Sequence, residues 1–122
     1  LLRKLLLPAL VLVLQGCDDG PVAAGGTLTV HLRSPNPAEG AARIQLVGRG
    51  MGTATALEGE VHTRTRGDTL EVLVLRPDPG ILRFALQVED TTRRPTGTVM
   101  QVAGPENTLR SGLAGYVVEV VR

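Results

Sequence analysis

Short stretches of alternating apolar and polar residues, cut apart by glycine and proline, constrain this chain more than any other feature. Residues 69–75 put Leu70, Val72 and Val74 on one face and Leu73 and Leu75 beside Glu71 on the other, so both faces are candidates for cover. Past the turn-forming Arg76-Pro77-Asp78-Pro79-Gly80, residues 81–89 place Leu82, Phe84, Leu86 and Val88 inward and Arg83, Ala85, Gln87 and Glu89 outward. The two segments and their turn read as a β-hairpin. The same period of two runs through 27–33, with Leu28, Val30 and Leu32 inward, through Ile44 and Leu46, through 98–103, and through 116–121, with Tyr116, Val118 and Val120 inward. Residues 34–40, 90–97 and 104–115 read as loops. Gly48, Gly50 and Gly52 frame a mobile connection, and 53–57 is ambiguous. With 15 Gly and 8 Pro, long helices have little room. The expectation is an all-β fold, a single small antiparallel β-sandwich of seven or eight strands over 27–122, with the C-terminal strand at a sheet edge.

The core of such a sandwich must be aliphatic. Phe84 and Tyr116 are the only aromatic residues, so many small Val, Leu, Ile and Ala contacts replace a few large ones.

The N-terminal residues follow different rules. Arg3 and Lys4 precede an apolar run from Leu5 to Leu14, interrupted by Pro8, and the run ends in Leu14-Gln15-Gly16-Cys17. A charged start, an apolar middle and a small residue at the end make a secretory signal peptide over 1–16. The run is about half the roughly 20 residues that a membrane-spanning helix requires. Cys17 is the single cysteine, so no disulfide can form within the chain, and an ordinary cleaved signal would leave it a free thiol or paired with a second molecule. The segment resembles the lipobox of bacterial lipoproteins, with matches at Leu14, Gly16 and Cys17; Gln15 is bulkier and more polar than the usual occupant. The resemblance implies recognition by a signal peptidase through Leu14 and Gly16, lipidation at Cys17, and a protein held to the membrane of the cell envelope by its lipid. Residues 17–26, small and flexible, then form a tether. In enterobacterial lipoproteins an Asp directly after the cysteine favours the inner over the outer membrane, which is what Asp18 implies by resemblance. As residues alone, Asp18 and Asp19 are solvated tether positions.

Charge indicates no nucleic-acid partner. The whole chain carries a formal +1, but Arg3 and Lys4 belong to the signal segment, and the remaining domain is close to neutral. Its basic residues are all Arg, scattered from Arg33 to Arg122 without a run. Catalytic signatures are also missing. His31 and His62 fall at outward strand positions, whereas zinc takes three or four convergent ligands. No nucleophile elbow surrounds Ser34 or Ser111. Asp68 with Glu71, or Asp78 with Asp90, would have to flank a cleft to act as a glycosidase pair, and turn or surface roles suit them better. No Asp-x-Asp-x-Asp run offers calcium ligands, and no Trp offers a sugar platform. No catalytic residue, metal or cofactor is indicated.

One strand invites a partner. Val61, Thr63 and Thr65 are only weakly apolar, while His62, Arg64 and Arg66 face out, the pattern of a sheet edge. Unpaired backbone beside three potentially cationic side chains would suit an acidic protein partner, although the same charges also protect an edge from aggregation. Residues 27–121 are loosely similar to the cohesin-type sandwiches of bacterial surface proteins, through 69–75, the Gly80 turn into Ile81-Leu82-Arg83-Phe84-Ala85-Leu86-Gln87-Val88, and Gly115-Tyr116-Val117-Val118-Glu119-Val120. The expectation is a lipid-anchored, non-enzymatic interaction or structural module. The alternatives are a small ligand-binding lipoprotein serving a transporter or sensor and, last, a hydrolase.

Overall fold

The computed structural model of the protein describes residues 25–122. The signal segment, with Leu14, Gly16, Cys17 and Asp18, and all but the end of the tether lie outside the described residues. Eight strands follow one another: β1 (Gly26–Arg33), β2 (Glu39–Val47), β3 (Met51–Ala56), β4 (Glu60–Arg66), β5 (Thr69–Gly80), β6 (Arg83–Val88), β7 (Thr96–Ala103) and β8 (Val117–Val121). They form two antiparallel four-stranded sheets, one in the order β3-β6-β1-β8 and the other β4-β5-β2-β7. The fold is an all-β sandwich.

The alternation of the sequence becomes the core. Leu28, Val30 and Leu32 of β1 and Phe84, Leu86 and Val88 of β6 meet Ala42, Ile44 and Leu46 of β2, Leu70, Val72 and Val74 of β5 and Val102 of β7, with Leu82 closing one end. All are buried, and Phe84 is the largest of them. Burying such aliphatic side chains contributes about 1.5–3 kcal/mol each.

The hairpin expected from β5 and β6 does not exist. β5 pairs with β4 and β2, while β6 pairs with β1 and β3 in the opposite sheet. Leu75 and Gly80 are the last paired residues of β5, opposite Ala41 and Glu39, and the four residues between them bulge out of the ladder. Pro77 and Pro79 have no N–H to give to a ladder, so this is where the chain leaves it most cheaply. Arg76 holds the bulge in shape: its Nε donates to Asp78 O (2.8 Å) and its Nη1 to Ile81 O (3.0 Å). The chain then crosses to the other sheet. The hairpin that does form is one strand earlier, β4 to β5 through Gly67-Asp68, with Gly67 at φ 61°.

Other boundaries shift as well. β1 starts at Gly26, one residue into the expected tether, and β2 starts at Glu39, inside the expected 34–40 loop. Gly52 and the ambiguous residues 53–56 belong to β3, an edge strand. Tyr116 precedes β8 and is half-buried. The outer face of β5 is open, with Leu73 37% exposed. β4 lies at a sheet edge, and so does the C-terminal β8, both in the places that their sequences indicated.

The sandwich has two ends. Gly25 and Gly26 bring the chain in beside Val88, Glu89 and Thr91, and the β2–β3, β4–β5 and β6–β7 connections share this proximal end. At the distal end lie the β1–β2 loop, the β5–β6 crossover and the β7–β8 connection.

Candidate interaction surface

Antiparallel register sets the outer face of the β4-β5-β2-β7 sheet in rows. His62, Leu73, Arg43 and Gln101 are neighbours across its four strands, and Arg64, Glu71, Gln45 and Thr98 form the next row. Arg66 stands beside Thr69 in the row after that. The sequence had displayed His62, Arg64 and Arg66 as one side of a strand; the sheet adds Arg43, from a strand that is distant in sequence, to the same face. Arg43, His62, Arg64, Glu71 and Leu73 line a shallow concavity of about 200 Å³.

Two acids, Glu71 and Glu60, serve this basic face. Arg64 Nη2 donates to Glu71 Oε1 at 3.0 Å. That hydrogen bond lowers the Glu71 carboxyl below its ordinary value, desolvation opposes it, and the charges of Arg64, Arg66 and Arg43 lower it further. The three guanidinium groups therefore all act on one carboxylate. His62 Nε2 lies 3.0 Å from Glu60 Oε1 on its own strand. Arg66 and Arg43 have no ion-pair partner among the described residues. Arg43 Nε is covered and has no hydrogen-bond partner. The face thus combines an apolar Leu73, an open backbone edge along β4, and positive charge in excess of its acids.

A second cluster lies at the distal end. Glu39, inside the expected 34–40 loop, is the one buried charged residue among those described, only 1% exposed. Its Oε1 accepts from Arg110 Nη2 (2.9 Å) and Nε (3.1 Å); its Oε2 accepts from Ser34 Oγ (2.5 Å), Tyr116 OH (2.5 Å) and Asn36 Nδ2 (3.3 Å). Burial alone would raise the Glu39 pKa, but the hydrogen bonds from Ser34, Tyr116, Arg110 and Asn36 together hold it below the ordinary value. Glycine makes room for the pair. A Cβ on Gly104 would stand 2.8 Å from the Arg110 guanidinium carbon, and one on Gly40 would stand 2.8 Å from Gly104 O. The only advance signal was a Ser, an Asn and a Glu close together in a proline-rich segment.

Beside Glu39 a distal cleft of about 440 Å³ runs along His31, Arg33, Ser34, Asn36 and Ile81. Its single carboxylate has both oxygens engaged by the protein's own donors. Of the carboxylates considered as catalytic pairs, Asp68 sits in the β4–β5 turn and Asp78 in the crossover bulge, Glu71 is joined to Arg64, and Asp90 accepts from Thr92 N and Oγ1 within its own loop. Among the described residues, no group of three or more His, Cys, Asp or Glu is placed to hold a metal. No family model, curated protein or solved structure matches the chain.

Proposed function

We propose that the protein is a lipid-anchored module of the cell envelope that works by binding an acidic protein partner at the β4 edge and the adjoining outer face, and not by catalysis. The observation that carries this reading is the convergence of Arg43, His62 and Arg64 around the exposed Leu73, with Arg66 further along the same face and Glu71 and Glu60 as the acids beside them. A partner strand laid along β4 would take up its free backbone groups, while carboxylates on alternate residues would meet the arginines. Charge of this kind acts on encounter rate and orientation more than on affinity. The anchor rests on the resemblance of Leu14, Gly16 and Cys17 to a lipobox.

The alternative of a small-ligand carrier would use the distal cleft, and the engagement of Glu39 there speaks against it. The test takes the full chain with Arg64 and Arg66 reversed to Glu, captured from membranes beside the wild type. Selective loss of a captured partner at unchanged thermal stability is the expected result; an unchanged partner set would sink the binding surface. Cys17→Ser should move the protein out of the membrane fraction and leave its precursor uncleaved. Retention of that variant, with no lipid label on the wild type, would remove the anchor.

A further inference from the structure

Six arginines of the described residues enter no ion pair, and three of them converge. Arg49, Arg93 and Arg94 line one cleft of about 300 Å³ with Gly48 and Pro95, at the proximal end of the sandwich. In sequence Arg49 lies more than forty residues from Arg93 and Arg94. The fold joins them because the β2–β3 and β6–β7 connections both cross between the sheets here and touch closely: a Cβ on Gly48 would stand 3.2 Å from Pro95 Cα and Cβ. Pro95 is buried, while all three arginines are exposed.

The neighbouring acids are turned to other work. Asp90 accepts from Thr92 N (2.9 Å) and Thr92 Oγ1 and also feels the charge of Arg93, and Glu89 lies over Gly50. Asp68 occupies the adjacent β4–β5 turn, where its backbone oxygen accepts from Gly48 N. None of the three forms an ion pair with the cleft arginines. Planar guanidinium groups around an open cleft suit a tetrahedral oxyanion, which each can meet with two parallel N–H donors.

We propose that the cleft lined by Arg49, Arg93 and Arg94 is a phosphate-binding site that docks the domain on anionic phospholipid headgroups. The source of the phosphate follows from where the chain comes in. Gly25 enters against Val88 and Glu89 at this same end, so an anchor at Cys17 leaves seven intervening residues, at most about 30 Å of extended chain, between lipid and cleft. The cleft is on the side of the domain that the tether draws to the bilayer. This assignment of the phosphate rests on the lipid-anchor reading of Cys17.

The chain is isolated from membranes, and its mass first shows whether Cys17 carries acyl groups. It is then placed in nanodiscs of phosphatidylcholine alone, or of phosphatidylcholine with phosphatidylglycerol, each containing a headgroup spin label. With the anionic lipid, the amides of residues 48–50 and 90–94 should broaden, and rising salt should abolish the effect. Replacing Arg49, Arg93 and Arg94 by Gln should lower the ratio of docked to undocked molecules about fivefold per arginine, and Arg83→Gln, at the distal end, should not. Equal broadening in both lipid compositions, or full docking of the triple variant, would overturn the proposal. So would inorganic phosphate shifting the guanidinium resonances while phosphatidylglycerol changes nothing, because the site would then serve a free anion. An unmodified Cys17 would defeat the anchor alone, since the lipid contrast is read separately.

Discussion

Single residues in this sandwich divide into those whose place was legible from alternation and those fixed by a distant partner. Phe84 belongs to the first group: its neighbours Leu82, Leu86 and Val88 alternate with Arg83, Ala85 and Gln87, and the structure buries the former set. With aliphatic neighbours unable to refill its volume, Phe84→Ala should cost about 3–5 kcal/mol. Gln87→Ala, on the exposed side of the same strand, should stay within about 0.5 kcal/mol. Urea unfolding of the two variants makes the comparison, and equal losses would contradict the register of β6. Glu39 belongs to the second group. Little local distinguishes it from a solvated loop carboxylate, because three of its five hydrogen bonds depend on where the chain folds Arg110 and Tyr116. A charge so far from water is tolerable only with that full set of donors.

At the scale of strands, existence was readable and pairing was not. Period two identifies a strand and its buried face, but it is the same whichever sheet the strand joins, and β5 and β6 met every local requirement of a hairpin while folding into different sheets. Prolines at 77 and 79 signalled a break in the ladder without saying whether the chain turns back or crosses over. Glycines mark the true connections. Gly59, before β4, has φ 74°, and an added Cβ would fall 2.0 Å from Leu75 O; Gly67, in the β4–β5 turn, has φ 61° and open space around it. Gly67→Ala should therefore cost about 1–2 kcal/mol from left-handed backbone alone. Gly59→Ala should cost clearly more, since the Leu75 backbone must also move. Denaturation midpoints of the two variants check the order, and a larger loss at Gly67 would count against this close approach of Gly59 to the Leu75 backbone.

As a whole, residues 25–122 are two sheets closed at the distal end by the ion pair of buried Glu39 with half-buried Arg110. Glu39 begins β2, Arg110 and Tyr116 come from the β7–β8 connection, and Ser34 and Asn36 from the β1–β2 loop. Because the folded pKa of Glu39 lies below its ordinary 4.5, its stabilising contribution is complete above that value and is lost as pH falls through the folded pKa. Acid unfolding should be less steep for Glu39→Gln than for the wild type below about pH 4.5, although the variant is less stable near neutrality. Arg110→Ala, which strands the buried carboxylate, should cost about 3 kcal/mol at pH 7. Melting temperatures across the acid range test both, and parallel curves for wild type and Glu39→Gln would refute the role of this pair. The exposed Arg64–Glu71 pair should matter little to stability, which leaves it free for the surface role proposed above. The sequence by itself determined the class of fold, the inward set of residues and the edge character of β4, because those depend on a local period and on hydrophobicity. Only the tertiary structure decided sheet membership, the burial of Glu39, and the meeting of Arg43 with Arg64 and of Arg49 with Arg93 and Arg94. Each of these joins residues that the chain holds far apart, and neither period nor composition carries information across that distance.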